Sequence, residues 1–233
     1  MTTYVLVHGA WHGGWQWRDV VPLIRAAGHE VTTPTLTGLG ERRHLGSGHV
    51  DLSTHIADLV NHVYMEGLER FVLVGWSYGG MVTTSALPQL RDRIQSMVYL
   101  DAFVPERGKA LVDYAPHPIE PGRDMPPITL EEFGVHDPEI AAFVNPRLVL
   151  QPWRSLTEPS QALAERPRDV PHSYVWCRGF SPSPFAGFYE QFKNDPLFEV
   201  HTLDTGHQCM LTMPRETADL ILGARLSGTD RSS

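Results

Sequence analysis

Residues 71–79 read FVLVGWSYG, a short apolar run that ends in the pattern G-x-S-x-G. The run is rich in β-branched residues and bounded by glycine, which predicts a buried strand. Residues 81–87 can form a helix, and a serine on a tight turn between strand and helix is typical of an enzyme nucleophile. Gly75 and Gly79 fit this reading because a side chain at either position would crowd the turn. Ser77 is therefore the candidate nucleophile, and the alternative is a glycine-rich turn with an incidental serine.

The composition is that of one soluble globular domain. The chain has 233 residues, 42% hydrophobic and 20% charged, which suffices for one sizeable core. The net charge of −8 argues against nucleic acid or an anionic membrane surface as a partner. Two cysteines, Cys177 and Cys209, are too few for a disulfide framework, and the N-terminus shows no signal peptide. We therefore expect a cytoplasmic protein with no membrane span.

Apolar strands alternate with amphipathic helices along the chain. The predicted strands are 4–8, 30–34, 71–75, 96–101, 173–177 and 198–203, and the clearest helices are 17–27, 52–67 and a last one that begins at Pro214. This alternation predicts an α/β fold with a mostly parallel central sheet and helices on both faces.

The segment 105–169 interrupts this alternation. It is rich in proline and carries two short helix-like pieces, 130–133 and 138–144. An insertion of this length between two strands usually forms a lid or a binding element, and the alternative is a purely structural excursion. We therefore predict a core of residues 1–104 and 170–226, a cap or lid at 105–169, and a flexible tail at 227–233.

A serine hydroxyl needs a neighbouring base, and in this architecture the order along the chain is serine, acid, histidine. His207 follows the last predicted strand and is the candidate base. The loop after the strand 173–177 is the usual place for the acid, but it contains no carboxylate. Asp101 ends the strand next to that of the nucleophile, where ligand-facing groups lie in open α/β sheets, and is the candidate acid. The alternatives are a turn-capping role for Asp101 and an acid at one of three other positions, Asp204, Glu190 and Asp195.

The tetrahedral intermediate of acyl transfer needs two backbone N–H donors. One candidate is Tyr78, which directly follows the serine, and the other is Ala10, in the glycine-rich loop after the first strand. His8 and His12 lie in that same loop and are expected to brace it by hydrogen bonds. The 12 histidines show no metal-ligand spacing, so we expect no metal site.

Three regions together resemble the α/β-hydrolase superfamily over nearly the whole chain: the loop 8–15, the turn 75–79 and the pair Gly206–His207. More narrowly, the loop HGAWHGGW is similar to plant methylesterases and hydroxynitrile lyases. The segments 36–42 and 99–105 look like bacterial pyrethroid and carbamate esterases. The resemblance implies an α/β-hydrolase fold, a Ser77-His207-Asp101 triad, an oxyanion hole made by the Ala10 and Tyr78 amides, and no cofactor. Gln208 stands where such lyases carry a lysine, which counts against lyase chemistry.

Aromatic side chains crowd the predicted mouth of the site and favour a small, uncharged, largely apolar ester as substrate. They are Trp11, Trp76, Phe103, Trp153, Phe180 and Phe185. The resulting prediction is a serine carboxylesterase that works through an acyl-enzyme. An amide or carbamate hydrolase, a C–C hydrolase and a ligand-sensing protein on the same scaffold remain as alternatives. The sequence does not decide the oligomeric state, for which a homodimer is one option.

Overall fold

The computed structural model describes residues 1–114 and 119–227. Its centre is a sheet of six strands, β1 (Thr3–Val7), β2 (Glu30–Thr32), β3 (Phe71–Trp76), β4 (Ile94–Leu100), β5 (His172–Cys177) and β6 (Phe198–Leu203). The strand order is β2-β1-β3-β4-β5-β6, and each neighbouring pair is parallel. The predicted α/β class is thus confirmed. Strand order reverses between β1 and β3, so ligands are expected at the carboxyl ends of these strands.

Eight α-helices connect or flank the strands in the described residues. They are α1 (Val21–Ala26), α2 (Leu52–Met65), α3 (Gly79–Leu90), α4 (Pro138–Val144), α5 (Trp153–Thr157), α6 (Phe185–Phe192), α7 (Cys209–Thr212) and α8 (Pro214–Leu222). Helix α2 packs on α3, and α1 packs on α8. None of the described helices is long and apolar enough to cross a membrane.

Local chemistry explains where two of the helices begin. The first helix is shorter than predicted, because Pro22 occupies its first turn, where a residue without an N–H is tolerated. Helix α2 begins after Asp51, which forms a capping box with Thr54. The apolar stripe of α2 faces the core and carries one polar residue, His55, into the interior.

The proline-rich segment contains α4, which matches the predicted piece 138–144, and the short α5. The predicted piece 130–133 is a turn. An antiparallel bridge joins Met125 to Gln151. Residues 115–118 of this segment and residues 228–233 of the predicted tail lie outside the described residues.

Candidate active site

Ser77 lies on the sharp turn between β3 and α3. Its φ of 54° is in the left-handed region, which is uncommon for a residue with a side chain. The turn packs tightly against β1, since a Cβ on Gly79 would lie 2.5 Å from the carbonyl oxygen of Val7. The Ser77 N–H donates to the Leu100 carbonyl at 3.3 Å, and the Ser77 carbonyl accepts from the Phe103 N–H at 3.2 Å. Hydrogen bonds to β4 and to the loop after it therefore hold the serine in its strained conformation, and the turn packs on β1 through Gly79.

His207 follows β6 and has no exposed surface. Its backbone is held at two atoms, because its N–H donates to the Phe133 carbonyl at 2.8 Å and its carbonyl accepts from the Trp76 indole N–H at 2.9 Å. Trp76 directly precedes the serine, so a single side chain links the base loop to the nucleophile turn.

Asp101 is fully buried just beyond the end of β4, with a φ of 42°. Its Oδ2 accepts a hydrogen bond from His207 Nδ1 at 2.6 Å, and its Oδ1 accepts from the Cys177 N–H at 3.1 Å. Burial raises the pKa of Asp101, and the hydrogen bond from His207 opposes that rise. Because Nδ1 is the donor, Nε2 keeps its lone pair, and no described residue hydrogen-bonds to it.

The three alternative acids point elsewhere. Glu190 pairs with Lys193 at 2.5 Å, Asp195 accepts from the Leu197 N–H at 2.9 Å, and Asp204 pairs with Arg178. The structure thus brings only Asp101, of the four carboxylates considered, to the His207 ring.

The loop after β1 packs directly against the serine turn. A Cβ on Gly9 would lie 2.9 Å from the Cβ of Ser77. Among the described residues the N–H groups of Ala10 and Tyr78 donate to no other group, so both remain available to a ligand. An oxyanion hole requires two such N–H donors close to the nucleophile.

Two histidines brace this loop, as predicted. His8 Nδ1 donates to the Gly9 carbonyl at 2.8 Å, and His12 Nδ1 donates to the Ala10 carbonyl at 2.6 Å. Burial lowers the pKa of each ring to about 3, so both are neutral at pH 7. Gln208 Nε2 donates to His12 Nε2 at 2.8 Å, which joins the base loop to the brace.

Sequence reasoning missed the anchor of the Tyr78 side chain. The Tyr78 hydroxyl lies 2.7 Å from His55 Nδ1, and His55 Nε2 donates to the Thr37 carbonyl at 2.9 Å. His55 Nδ1 is therefore the acceptor and the tyrosine hydroxyl the donor. The one sequence feature that pointed to this contact is a histidine on the otherwise apolar stripe of α2.

Four aromatic rings surround the His207 imidazole at centroid distances of 4.7–5.0 Å, and they belong to Trp76, Phe133, Phe180 and Phe185. Trp76 is buried, and its indole N–H supports the base loop through the His207 carbonyl. Phe103 contacts Phe185 at 4.9 Å, and Trp11 contacts Phe133 at 6.1 Å. Trp153 instead begins α5 with its ring under the Arg154 guanidinium, and among the described residues it makes no ring contact with His207. Phe133 was absent from the predicted pocket because it belongs to the irregular insertion.

The reacting groups are enclosed. A surface pocket of about 480 Å³ lies between the insertion and the segment 38–46, and it is lined by Gly38, Arg43, Gly46, Asp124, Pro127, Leu148, Val149, Leu150 and Pro152. Ser77 is not in this lining and is only 7% exposed. Within residues 1–114 and 119–227, no group of three histidine, cysteine, aspartate or glutamate side chains is placed to hold a metal ion.

The chain is similar to known proteins over nearly its full length. The model of the Alpha/beta hydrolase family matches residues 4–220. The carbendazim hydrolyzing esterase of Nocardioides sp. (strain SG-4G) is 38% identical, over 94% of this chain and 98% of that protein. Polyneuridine aldehyde esterase of Rauvolfia serpentina is 26% identical, over 94% of both chains.

Solved structures show the same fold. An extracellular alpha/beta-hydrolase from a Paenibacillus species superposes with a TM-score of 0.83 at 23% identity, over 97% of this chain and 99% of that one. A methylesterase from Arabidopsis superposes with a TM-score of 0.76 at 25% identity, over 95% and 98% of the two chains. The chain therefore belongs to the alpha/beta hydrolase family and is an esterase of that family.

Proposed function

We propose that this esterase hydrolyses a small, largely apolar carboxylic ester through an acyl-enzyme on Ser77. The observation that carries the proposal is the 2.6 Å hydrogen bond from His207 Nδ1 to the buried Asp101 carboxylate. This bond fixes the tautomer in which Nε2 can take a proton from the serine hydroxyl. The nucleophile, base and acid occur in the chain order that this fold uses.

The reaction follows from these groups. Ser77 Oγ attacks the carbonyl carbon, and its proton passes to His207 Nε2. The Ala10 and Tyr78 N–H groups stabilise the oxyanion, and Asp101 stabilises the imidazolium without becoming protonated. Breakdown of the tetrahedral intermediate expels the alcohol, which takes the proton from His207. A water molecule, deprotonated by the same imidazole, then attacks the acyl carbon. The imidazolium returns this proton to Ser77 Oγ as the carboxylic acid is released.

The aromatic surroundings of the imidazole support an apolar substrate. Phe133, Phe180 and Phe185 are each less than 10% exposed and contact the His207 ring. The nearby Arg178 is engaged by Asp204, which leaves it less suited to grip a substrate carboxylate. Uncharged esters with short acyl groups are therefore the expected substrates.

The test is hydrolysis of p-nitrophenyl acetate by the parent, by Ser77→Ala and by a control, Ser85→Ala. Ser85 is buried in α3 and bonded only to the Ser160 hydroxyl, so its loss is expected to change kcat/KM less than about twofold. Ser77→Ala is expected to lose at least about 10⁴-fold in kcat/KM, and a fluorophosphonate should label the parent but not this variant. Parental turnover by Ser77→Ala would refute the proposal. Tight binding of a small molecule without turnover by the parent would instead favour the ligand-sensing alternative.

A carbamate substrate is the second candidate. The relative that is 38% identical is named for hydrolysis of carbendazim, and the same serine chemistry acts on a carbamate carbonyl. Intact-mass measurement after mixing with carbendazim or an aryl acetate separates the two candidates. A carbamoyl adduct on Ser77 that turns over favours the carbamate, whereas a stable one favours the ester.

A further inference from the structure

The insertion holds the oxyanion loop at a single residue, Trp11. The Trp11 N–H donates to Gln151 Oε1 at 3.0 Å, the Trp11 carbonyl accepts from the Val149 N–H at 3.1 Å, and the indole N–H donates to the Met125 carbonyl at 3.0 Å. Met125 and Gln151 are themselves joined by two backbone hydrogen bonds of 2.9 Å. Every polar group of Trp11 is thus satisfied by residues 125–151.

These contacts bear on the neighbouring Ala10 amide. The peptide plane between Ala10 and Trp11 is held at both edges, since His12 Nδ1 donates to the Ala10 carbonyl and Gln151 accepts from the Trp11 N–H. Trp11 has a φ of 64°, a conformation that persists only when surrounding groups hold it. Removing the Gln151 acceptor frees one edge of this plane and leaves a buried N–H unsatisfied.

The Gln151 side chain is itself held in place. Gln151 Nε2 donates to Ser155 Oγ at 2.7 Å, and the Ser155 hydroxyl donates to the Pro152 carbonyl at 2.6 Å. Gln151 and Ser155 are both fully buried. Ser155 therefore fixes the orientation in which Gln151 Oε1 faces the Trp11 N–H.

We propose that Gln151 is a positioning residue that sets the Ala10 amide of the oxyanion hole from the insertion. The inference rests on the proposed function, because it assigns this amide to the transition state of acyl transfer. With this role for Gln151, the insertion takes part in catalysis and does not only cover the site. Gln151 touches no reacting atom and acts only through Trp11.

The test is Gln151→Met, which keeps the length of the side chain and removes both polar atoms. The matched control is Gln16→Met, because Gln16 is equally buried and its amide atoms bond to no described residue. An oxyanion hole acts on the transition state, so Gln151→Met should lower kcat about 10- to 100-fold with KM within about threefold. An alkyl trifluoromethyl ketone, which forms an oxyanion on the serine, should bind more weakly by a similar factor. The matching methyl ketone should bind with unchanged affinity, and Gln16→Met should match the parent.

Two results for a folded Gln151→Met would overturn the inference. One is a kcat and a trifluoromethyl ketone affinity equal to those of the parent. The other is an equal rise in the inhibition constants of both ketones, which would show a loss of binding that is not specific to the oxyanion. Should Gln151→Met fail to fold, Ser155→Ala decides. It removes the acceptor that orients the amide, and a fall of about 3- to 10-fold in kcat at constant KM is expected, whereas parental kinetics refute the role. If fluorophosphonate does not label Ser77 of the parent, the proposed function is overturned as well. If the parent is labelled and active and Gln151→Met has the same kinetics, only this inference is overturned.

Discussion

Replacement of Asp101 by asparagine should put the catalytic proton on the wrong nitrogen of His207. In the structure Asp101 Oδ1 accepts from the Cys177 N–H and Oδ2 accepts from His207 Nδ1. An asparagine must keep its oxygen toward Cys177, because its NH₂ group there would oppose another donor. The NH₂ group then faces Nδ1, which must accept, and the ring proton moves to Nε2, the atom that receives the serine proton.

The size of the effect follows from two terms. Turning the amide to the productive orientation leaves the buried Cys177 N–H unsatisfied, at a cost of about 1–3 kcal/mol. Losing the negative charge beside the imidazolium removes a charge-assisted hydrogen bond of about 1.5–3 kcal/mol. Their sum is about 2.5–6 kcal/mol, and each 1.36 kcal/mol is a factor of about ten, so kcat should fall by roughly 10²- to 10⁴-fold.

The assay is the steady-state hydrolysis of p-nitrophenyl acetate at pH 7, with the melting temperature measured in parallel. Asparagine tolerates positive φ, so the 42° at this position should be retained and the fold preserved. Asp204→Asn is the control, since Asp204 lies three residues before His207 and only pairs with the half-exposed Arg178. Its kcat should stay within about twofold of the parent. An Asp101→Asn enzyme that melts like the parent and keeps more than about one-fifth of its kcat would refute the reasoning.

Two predictions concern stability. Burial lowers the pKa of His8 and His12 to about 3 and that of His172 to about 4, so only the unfolded chain binds these protons between about pH 4 and 6.5. The free energy of unfolding should therefore decrease as the pH is lowered through this range, by up to about 1.4 kcal/mol per pH unit for each histidine. His172 stacks between Tyr99 and Phe198, so a phenylalanine should fit at this position. In urea titrations at several pH values, His172→Phe should reduce the dependence of the unfolding free energy on pH by about one proton, and an unchanged dependence would contradict the lowered pKa of His172. A Cβ on Gly206 would lie 2.3 Å from the Gly134 carbonyl oxygen, so Gly206→Ala should displace His207 and lower both kcat, by at least about tenfold, and the melting temperature. Gly187→Ala meets no atom within 4 Å and should match or exceed the parent in stability, and equal losses in both variants would argue against a steric cause.

Local patterns were sufficient to predict the strands and the elements that carry Ser77, Asp101 and His207. Each of these residues follows a short apolar run, and in a parallel sheet the carboxyl ends of neighbouring strands meet at one edge. The predicted second strand, 30–34, ends at Thr32, and the first helix begins at Val21. Proline accompanies both differences, since Pro34 and Pro22 lack the N–H that a longer ladder or helix would use.

The partners of the site were beyond sequence reasoning. Gln151 reaches Trp11 across 140 positions of the chain, through an insertion with little regular structure. Phe133 contributes a backbone carbonyl to His207, and a carbonyl leaves no trace in the residue type. Every residue of β3 is apolar or glycine and buried, so the period of two cannot distinguish the two faces of this strand.

Backbone strain offers a physical account of how three separate loops converge. Within residues 1–114 and 119–227, the only non-glycine residues with positive φ are Trp11, Ser77 and Asp101. They follow β1, β3 and β4, which are neighbours in the sheet, and each such conformation costs about 1–3 kcal/mol. A strand that simply continued would carry its next side chain away from the shared edge, whereas a left-handed residue turns the chain back over it.

Each strained residue is held by hydrogen bonds from a different part of the structure. Ser77 bonds to Leu100 and Phe103, Asp101 donates its N–H to the Val175 carbonyl, and Trp11 alone depends on the insertion. The first two are secured by the sheet and by the loop that directly follows β4, and they should keep their geometry in any folded variant. The Trp11 turn lacks that support, so weakening the insertion should misplace the Ala10 amide before it affects the nucleophile or the acid.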